Sequence, residues 1–157
     1  AQLDRFLLKI RIDYPDEQEE IALTRHVTAA KTGADLDVAA VSPLIQPAAV
    51  VGLQQWAAHV TVDERVAAYA VAIVRATRAA PGLASGAGPR GPIALVRAAR
   101  ARARMEGRGY ATPDDVKAVA LPALRHRVAP AAEAEIEGLG ADELLTGLLA
   151  GVPAPRV

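Results

Sequence analysis

The sequence predicts a mainly helical fold, a small helical bundle preceded by one orphan β-strand. Three observations predict it. Val66, Tyr69, Ala70, Ile73, Val74 and Thr77 recur at i, i+3, i+4, i+7 spacing, the stripe of a helix that buries one face. In "ATPDDVKAVA", Thr112 stands at a cap, Pro113 at the first helical position and Asp115 at the capping-box position, a clear helix start. Leu8, Ile10 and Ile12 alternate with Lys9 and Arg11, the period of a half-buried strand. No run follows closely enough to pair with that strand as a hairpin. The strand–helix alternation of a complete α/β domain is missing.

In chain order, "AQLDRFLLKIRIDYP" gives an apolar opening and then this strand. A lone strand is unstable in water, so its sheet partners are expected before Ala1. A helix is expected from about Pro15, with acidic residues in its first turn and Arg25 and His26 closing it, as the helix dipole favours. "TAAKTGADLD" reads as a loop. A second helix follows Pro47, with Val50, Leu53, Gln54 and Ala57 on one face. "LDVAAVSPLI" and "HVTV" are the other short strand candidates. A third helix carries the Val66 to Thr77 stripe, with a capping box expected from Thr61 and Glu64. "PGLASGAGPRG" is the least helical stretch. A fourth helix follows, with Ile93, Val96, Ala99 and Ala103 facing inward and Gly107 near its end. The Thr112 helix is fifth and is expected to break at Pro122. "LPALRHRV" adds a further turn or short helix, "GADELLTGLLAGV" a short last helix, and "PAPRV" an extended tail.

Composition narrows the function. The chain has 157 residues, 52% hydrophobic and 23% charged, which suits one folded domain or a domain plus a fragment and argues against disorder. Its formal net charge is +0, so no whole-chain field steers it to nucleic acid or anionic membrane. There is no cysteine, which removes disulfides, thiolate zinc sites and cysteine nucleophiles and leaves cytosol and periplasm undivided. No apolar run is long enough to span a membrane. The chain opens without an initiator methionine and inside an apolar element, so we expect a longer parent protein.

Several patterns imitate functional motifs. Gly86-x-Gly88-x-x-Gly91 has dinucleotide-loop spacing, but a helix end precedes it rather than a strand, and Pro89 removes one backbone donor. "HVTVDE" imitates an apolar run ending in the carboxylates Asp63 and Glu64, yet the chain has no GxxxxGK[ST], and a helix cap explains it better. Arg97, Arg100, Arg104 and Arg108 recur at helical spacing beside Arg102. They form either a phosphate-tracking stripe or a salt-bridged outer face; no aromatic interleaves for base stacking. His26, His59 and His126 are scattered with no metal-ligand spacing, and Ser42 and Ser85 lie in no nucleophile elbow.

Two stretches together carry a resemblance. "AQLDRFLLKIRIDYP" resembles the end of the ATPase core in MoxR-type AAA+ proteins. "GAGPRGPIALVRAARARARMEGRGYATPDDVKAVALPALRHRV" resembles their lid domain, and "HVTVDERVAAYAVAIVRATR" fits the same lid. The likeness covers nearly the whole chain in order. It departs at "GAGPRGP", where a serine and small polar residues are commoner around the Pro-Arg pair. The resemblance implies that residues 1–14 end the core, 15–41 join core to lid, and 42–157 are the helical lid with its tail. It implies that Arg5 is an arginine finger reaching the γ-phosphate of ATP on a neighbouring subunit, the task of a permanently charged fork. Arg90, beside Pro89, is implied to be the second sensor, touching the γ-phosphate of its own subunit. Tyr14 and Pro15 are implied to line the adenine pocket. The implied parent is cytoplasmic and binds ATP and Mg2+. It works in a ring, expected to be a hexamer, in chaperone-like maturation or assembly of other proteins, with a von Willebrand factor A domain protein as a possible partner. Phosphate loop, Walker B and first sensor are expected before Ala1. A helical protein-interaction module and a helical nucleic-acid binder remain as alternatives.

Overall fold

The computed structural model describes residues 2–29 and 41–156. It divides into two compact units, one of residues 1–10 with 51–157 and one of residues 11–50.

In the smaller unit, α1 (Glu17–Thr28) opens on a capping box: the Asp16 carboxylate accepts from Glu19 N at 2.8 Å and Glu19 accepts from Asp16 N at 3.2 Å. Acidic Glu17, Glu19 and Glu20 begin the helix and Arg25 and His26 end it, as the dipole requires. Most of the expected loop at residues 28–37 and of the strand candidate at 36–45 lies outside the described residues; Thr28 ends α1, and residues 41–45 carry no strand. α2 (Pro47–Ala58) starts in this unit and ends in the other. Its Val50, Leu53, Gln54 and Ala57 are not buried.

In the larger unit, β1 (Thr61–Val62) pairs in parallel with β3 (Tyr110–Ala111), and β2 (Leu83–Ser85) pairs antiparallel with β4 (Ala129–Pro130). Around these short pairs pack α3 (Glu64–Thr77), α4 (Arg90–Met105), α5 (Pro113–Ala118), α6 (Ala120–Leu124), α7 (Ala132–Ile136) and α8 (Ala141–Gly151). The fold is mainly helical, as predicted. Residues 8–12 are not paired in a sheet among the described residues. One backbone bond, Lys9 N to Pro122 O at 2.8 Å, ties this stretch to the bundle. Leu8 packs on the core, whereas Ile10 and Ile12 are exposed.

The core is built as α3 predicts: Val66, Tyr69, Ala70, Ile73, Val74 and Thr77 are all buried. Against them pack Leu95, Val116, Leu124 and Leu145, each fully buried. The cap of α3 is a correction. Thr61 donates its N–H to Gly109 O in the β1–β3 pairing, so Asp63 caps instead, accepting from Arg65 N at 2.8 Å. Bonds from the Arg65 side chain and backbone hold the Asp63 carboxyl at about 2, against an ordinary 3.8. The "HVTVDE" carboxylate is thus a helix cap. On α4 the buried face is Gly91, Ala94, Leu95, Ala98, Ala99 and Ala103, while Ile93 is exposed. Of the predicted inward residues Ala99 and Ala103 are buried and Val96 packs on the core; Ile93 is the miss, since Gly91 and Ala94 take the place against the bundle. Gly107, with φ of 77°, ends α4 in a left-handed turn that glycine adopts without strain. The α5 start matches prediction, with Thr112, Pro113 and Asp115 in place. The break comes at Val119, and Pro122 lies inside the first turn of α6, where its missing N–H is harmless.

The loop before α4 is locked to the end of α3. Thr77 Oγ1 donates to Val74 O at 2.6 Å and accepts from Ala87 N at 2.9 Å, and Arg78 Nε donates to Ala87 O at 3.0 Å. A Cβ on Gly86 would sit 2.6 Å from backbone atoms of Thr77 and Arg78. Gly86→Ala is expected to cost about 2 kcal/mol, since backbone must shift to admit it. Gly88→Ala, with open space around it, serves as control, and thermal unfolding of both variants checks this.

Candidate functional site

Arg5 ends a 3-10 turn, Leu3–Arg5, whose amides close on Gln2 O and Leu3 O. Arg90 is the first residue of α4, with Pro89 at the N-cap making no side-chain cap bond. Both residues, with Leu7, Ile93, Ala94 and Arg97, line one open groove of about 280 Å³. Arg97 belongs there because it follows Arg90 by seven residues, two helical turns on the same face. The first turn of α4 carries no acidic residue, so nothing on that turn offsets the charge of Arg90. The nearest carboxylate, Asp4, has one oxygen 3.6 Å from Arg90 Nη1 and the other 3.0 Å from Arg127 Nε.

Three guanidinium groups around one groove, with one shared carboxylate between two cations, suit an anion. A larger cleft of about 550 Å³, lined by Ala76, Leu144, Leu148 and Val152 among others, has Glu143 as its charged residue and does not. Among the described residues no three His, Cys, Asp or Glu side chains are grouped to hold a metal, and no helix is long and apolar enough to cross a membrane.

Residues 75–146, which include Arg90 and Arg97, match the AAA lid domain family. Over 99% of its length the chain is 34% identical to YeaC of Bacillus subtilis, and over 100% it is 31% identical to a protein named chaperone MoxR1 of Mycobacterium tuberculosis. The chain is related to the MoxR-type AAA+ ATPases. A solved crystal structure from Cytophaga hutchinsonii, named provisionally as an ATPase, superposes on 99% of the chain with a TM-score of 0.81 at 29% identity. The chain spans about half the length of the relatives it matches: 47% of YeaC, 42% of MoxR1 and 48% of the solved chain.

Within this AAA lid Arg102, Arg104 and Arg108 have structural partners. Arg102 reaches Glu106 at 3.0 Å and Asp115 at 3.5 Å. Arg108 clasps Asp115 with both terminal nitrogens, at 2.6 and 2.7 Å. Arg104 stacks on Trp56 of α2, 3.6 Å from the ring centroid, an aromatic partner that sequence reading alone did not supply. These are the salt-bridged, packed face of the lid.

The Gly86 spacing is likewise a packing feature: Gly86 admits the close loop–helix approach, and Gly91 lies against Val74. Tyr14 and Pro15 are exposed, in the smaller unit. Asp4 is paired with Arg90 and Arg127 rather than with its neighbour Arg5. Sequence reading missed Arg97 as part of this groove and Arg127 altogether; spacing from Arg90 could have found the first.

Proposed function

We propose that the chain is the lid-bearing part of a longer MoxR-type ring ATPase, with Arg5 and Arg90 serving the γ-phosphate of ATP. The observation that supports this best is the groove where Arg5, Arg90 and Arg97 converge at the start of α4. Bound ATP supplies the phosphoryl group, and Mg2+ neutralises its charge; the metal's ligands would come from outside these residues. Arg90 holds the γ-phosphate from the lid. Its ion pair with Asp4 is exposed and weak, so an incoming phosphate, more highly charged, displaces it readily. Lid position then depends on whether that phosphate is present, which converts hydrolysis into movement. Arg5 spreads its charge over the equatorial oxygens of phosphate held by a neighbouring subunit, where the transferring group gathers negative charge. Tyr14 and Pro15 are the proposed adenine contacts.

The parent would work in the cytoplasm as a ring, a hexamer by family likeness. It would use this movement in maturation or assembly of other proteins, including partners with von Willebrand factor A domains. The test is steady-state ATP turnover by the protein extended upstream of Ala1, beside the 157-residue chain alone. The longer protein is expected to hydrolyse ATP and this chain to hydrolyse none. Turnover by the purified short chain, or an upstream sequence without GxxxxGK[ST], would contradict the proposal.

A further inference from the structure

The segment carrying Arg5 has little apolar anchoring: Leu3, Phe6 and Leu7 are 60%, 63% and 44% exposed. Beyond Leu8, which packs on the core, the segment needs a further anchor, because a mostly exposed stretch with few apolar contacts does not keep one geometry. The anchor is the basic run at the end of α6. The Arg127 side chain is 3% exposed. Its Nε donates to Asp4 Oδ1 at 3.0 Å, its Nη2 to Phe6 O at 2.6 Å and Asp4 O at 3.2 Å, and its Nη1 to Leu7 O at 3.2 Å and to Ala123 O. The fork therefore grips carbonyls on both sides of Arg5 and joins them to α6. Around it, His126 Nε2 lies 3.0 Å from Phe6 O, and Arg125 Nη1 donates to Lys9 O at 3.3 Å. Asp4 extends the same connection to Arg90.

We propose that Arg127 is the positioning residue for Arg5. Resting on the reading of Arg5 as a phosphate-engaging group, this makes the buried guanidinium a fixed mount that holds Arg5 in place for the neighbouring subunit's phosphate. Only a planar fork satisfies so many acceptors at once; a lysine ammonium has three donors on a single atom. The mount acts on turnover without touching nucleotide.

The test uses the longer protein. Arg127→Ala is expected to lower kcat about 10- to 100-fold, the usual cost of displacing a reacting group by an ångström. Nucleotide affinity stays as in the parent, and hydrogen exchange quickens at the Arg5 and Phe6 amides. Arg5→Ala/Arg127→Ala should turn over no more slowly than Arg5→Ala, because Arg127 acts through Arg5. A general structural defect would instead add its loss to that of Arg5→Ala and weaken nucleotide binding. If Arg127→Ala does not fold, Arg127→Lys carries the test, with a smaller kcat loss and the same unchanged affinity. Normal kcat in the Arg127 variants beside lost kcat in Arg5→Ala, or additive losses in the double variant, would overturn the positioning role alone. Normal kcat in Arg5→Ala would overturn the reading of Arg5 and the positioning role with it.

Discussion

Arg5→Ala in the longer protein is expected to reduce ATP turnover roughly 10³-fold, the lower end of what an arginine finger contributes, with little change in KM. Arg5 lines the groove without an ion pair among the described residues, so its removal leaves no buried partner exposed and the fold intact. Arg5→Lys should recover little, since a point charge cannot span two phosphate oxygens as a planar fork does. Because Arg5 and Arg90 line one groove, mixed rings separate their roles. If Arg5 serves a neighbour's nucleotide and Arg90 its own, mixing Arg5→Ala with Arg90→Ala subunits regenerates complete sites and turnover returns. If both serve one nucleotide in one chain, the mixture stays inactive. Unchanged kcat in Arg5→Ala would count against the finger role.

Asp115→Ala in the 157-residue chain is expected to cost about 3 kcal/mol, a fall in Tm of about 10 °C. Asp115 is 2% exposed. It accepts from Arg108 twice, from Thr112 N at 2.8 Å and from Thr112 Oγ1 at 2.9 Å. Burial alone would raise its pKa; the Arg108 and Thr112 bonds outweigh burial and hold it below the ordinary 3.8. A depressed carboxyl contributes stability that is complete above pH 3.8 and drains away as pH falls below it. The variant should therefore lose less stability than the parent on acidification through that range. Calorimetry against pH checks both points, and a Tm within a degree or two of the parent would show that the Arg108–Asp115 clasp carries no weight.

Some of this architecture was legible in the residues. The α3 stripe was, because one long helix with a single apolar face has one reading. The α5 start was, because a cap is decided by four adjacent residues. "TVDE" offered two capping registers, and only the β1–β3 pairing, which uses Thr61, selects Asp63. In α4 the apolar bulk of Ile93 misled, since it is exposed; the small residues Gly91, Ala94 and Ala98 fill the buried face beside the predicted Ala99 and Ala103. β2 and β4 were invisible because strands of two or three residues have no period. The groove shows the same division. Nothing local says that Arg5 and Arg90 line one groove, and family resemblance suggested a role for each. The contacts of Arg97, Asp4 and Arg127 arise only when α4, α6 and the first residues are brought together.

The central claim is that this groove recognises the γ-phosphate. The most direct measurement is the affinity of the longer protein for a non-hydrolysable ATP analogue relative to ADP, with and without Arg90→Ala. One charge-assisted bond from a half-exposed arginine amounts to about 1.5 kcal/mol, or about tenfold. The account predicts that Arg90→Ala lowers the preference for the triphosphate by about that factor while ADP affinity holds. An unchanged ratio of the two affinities would contradict it.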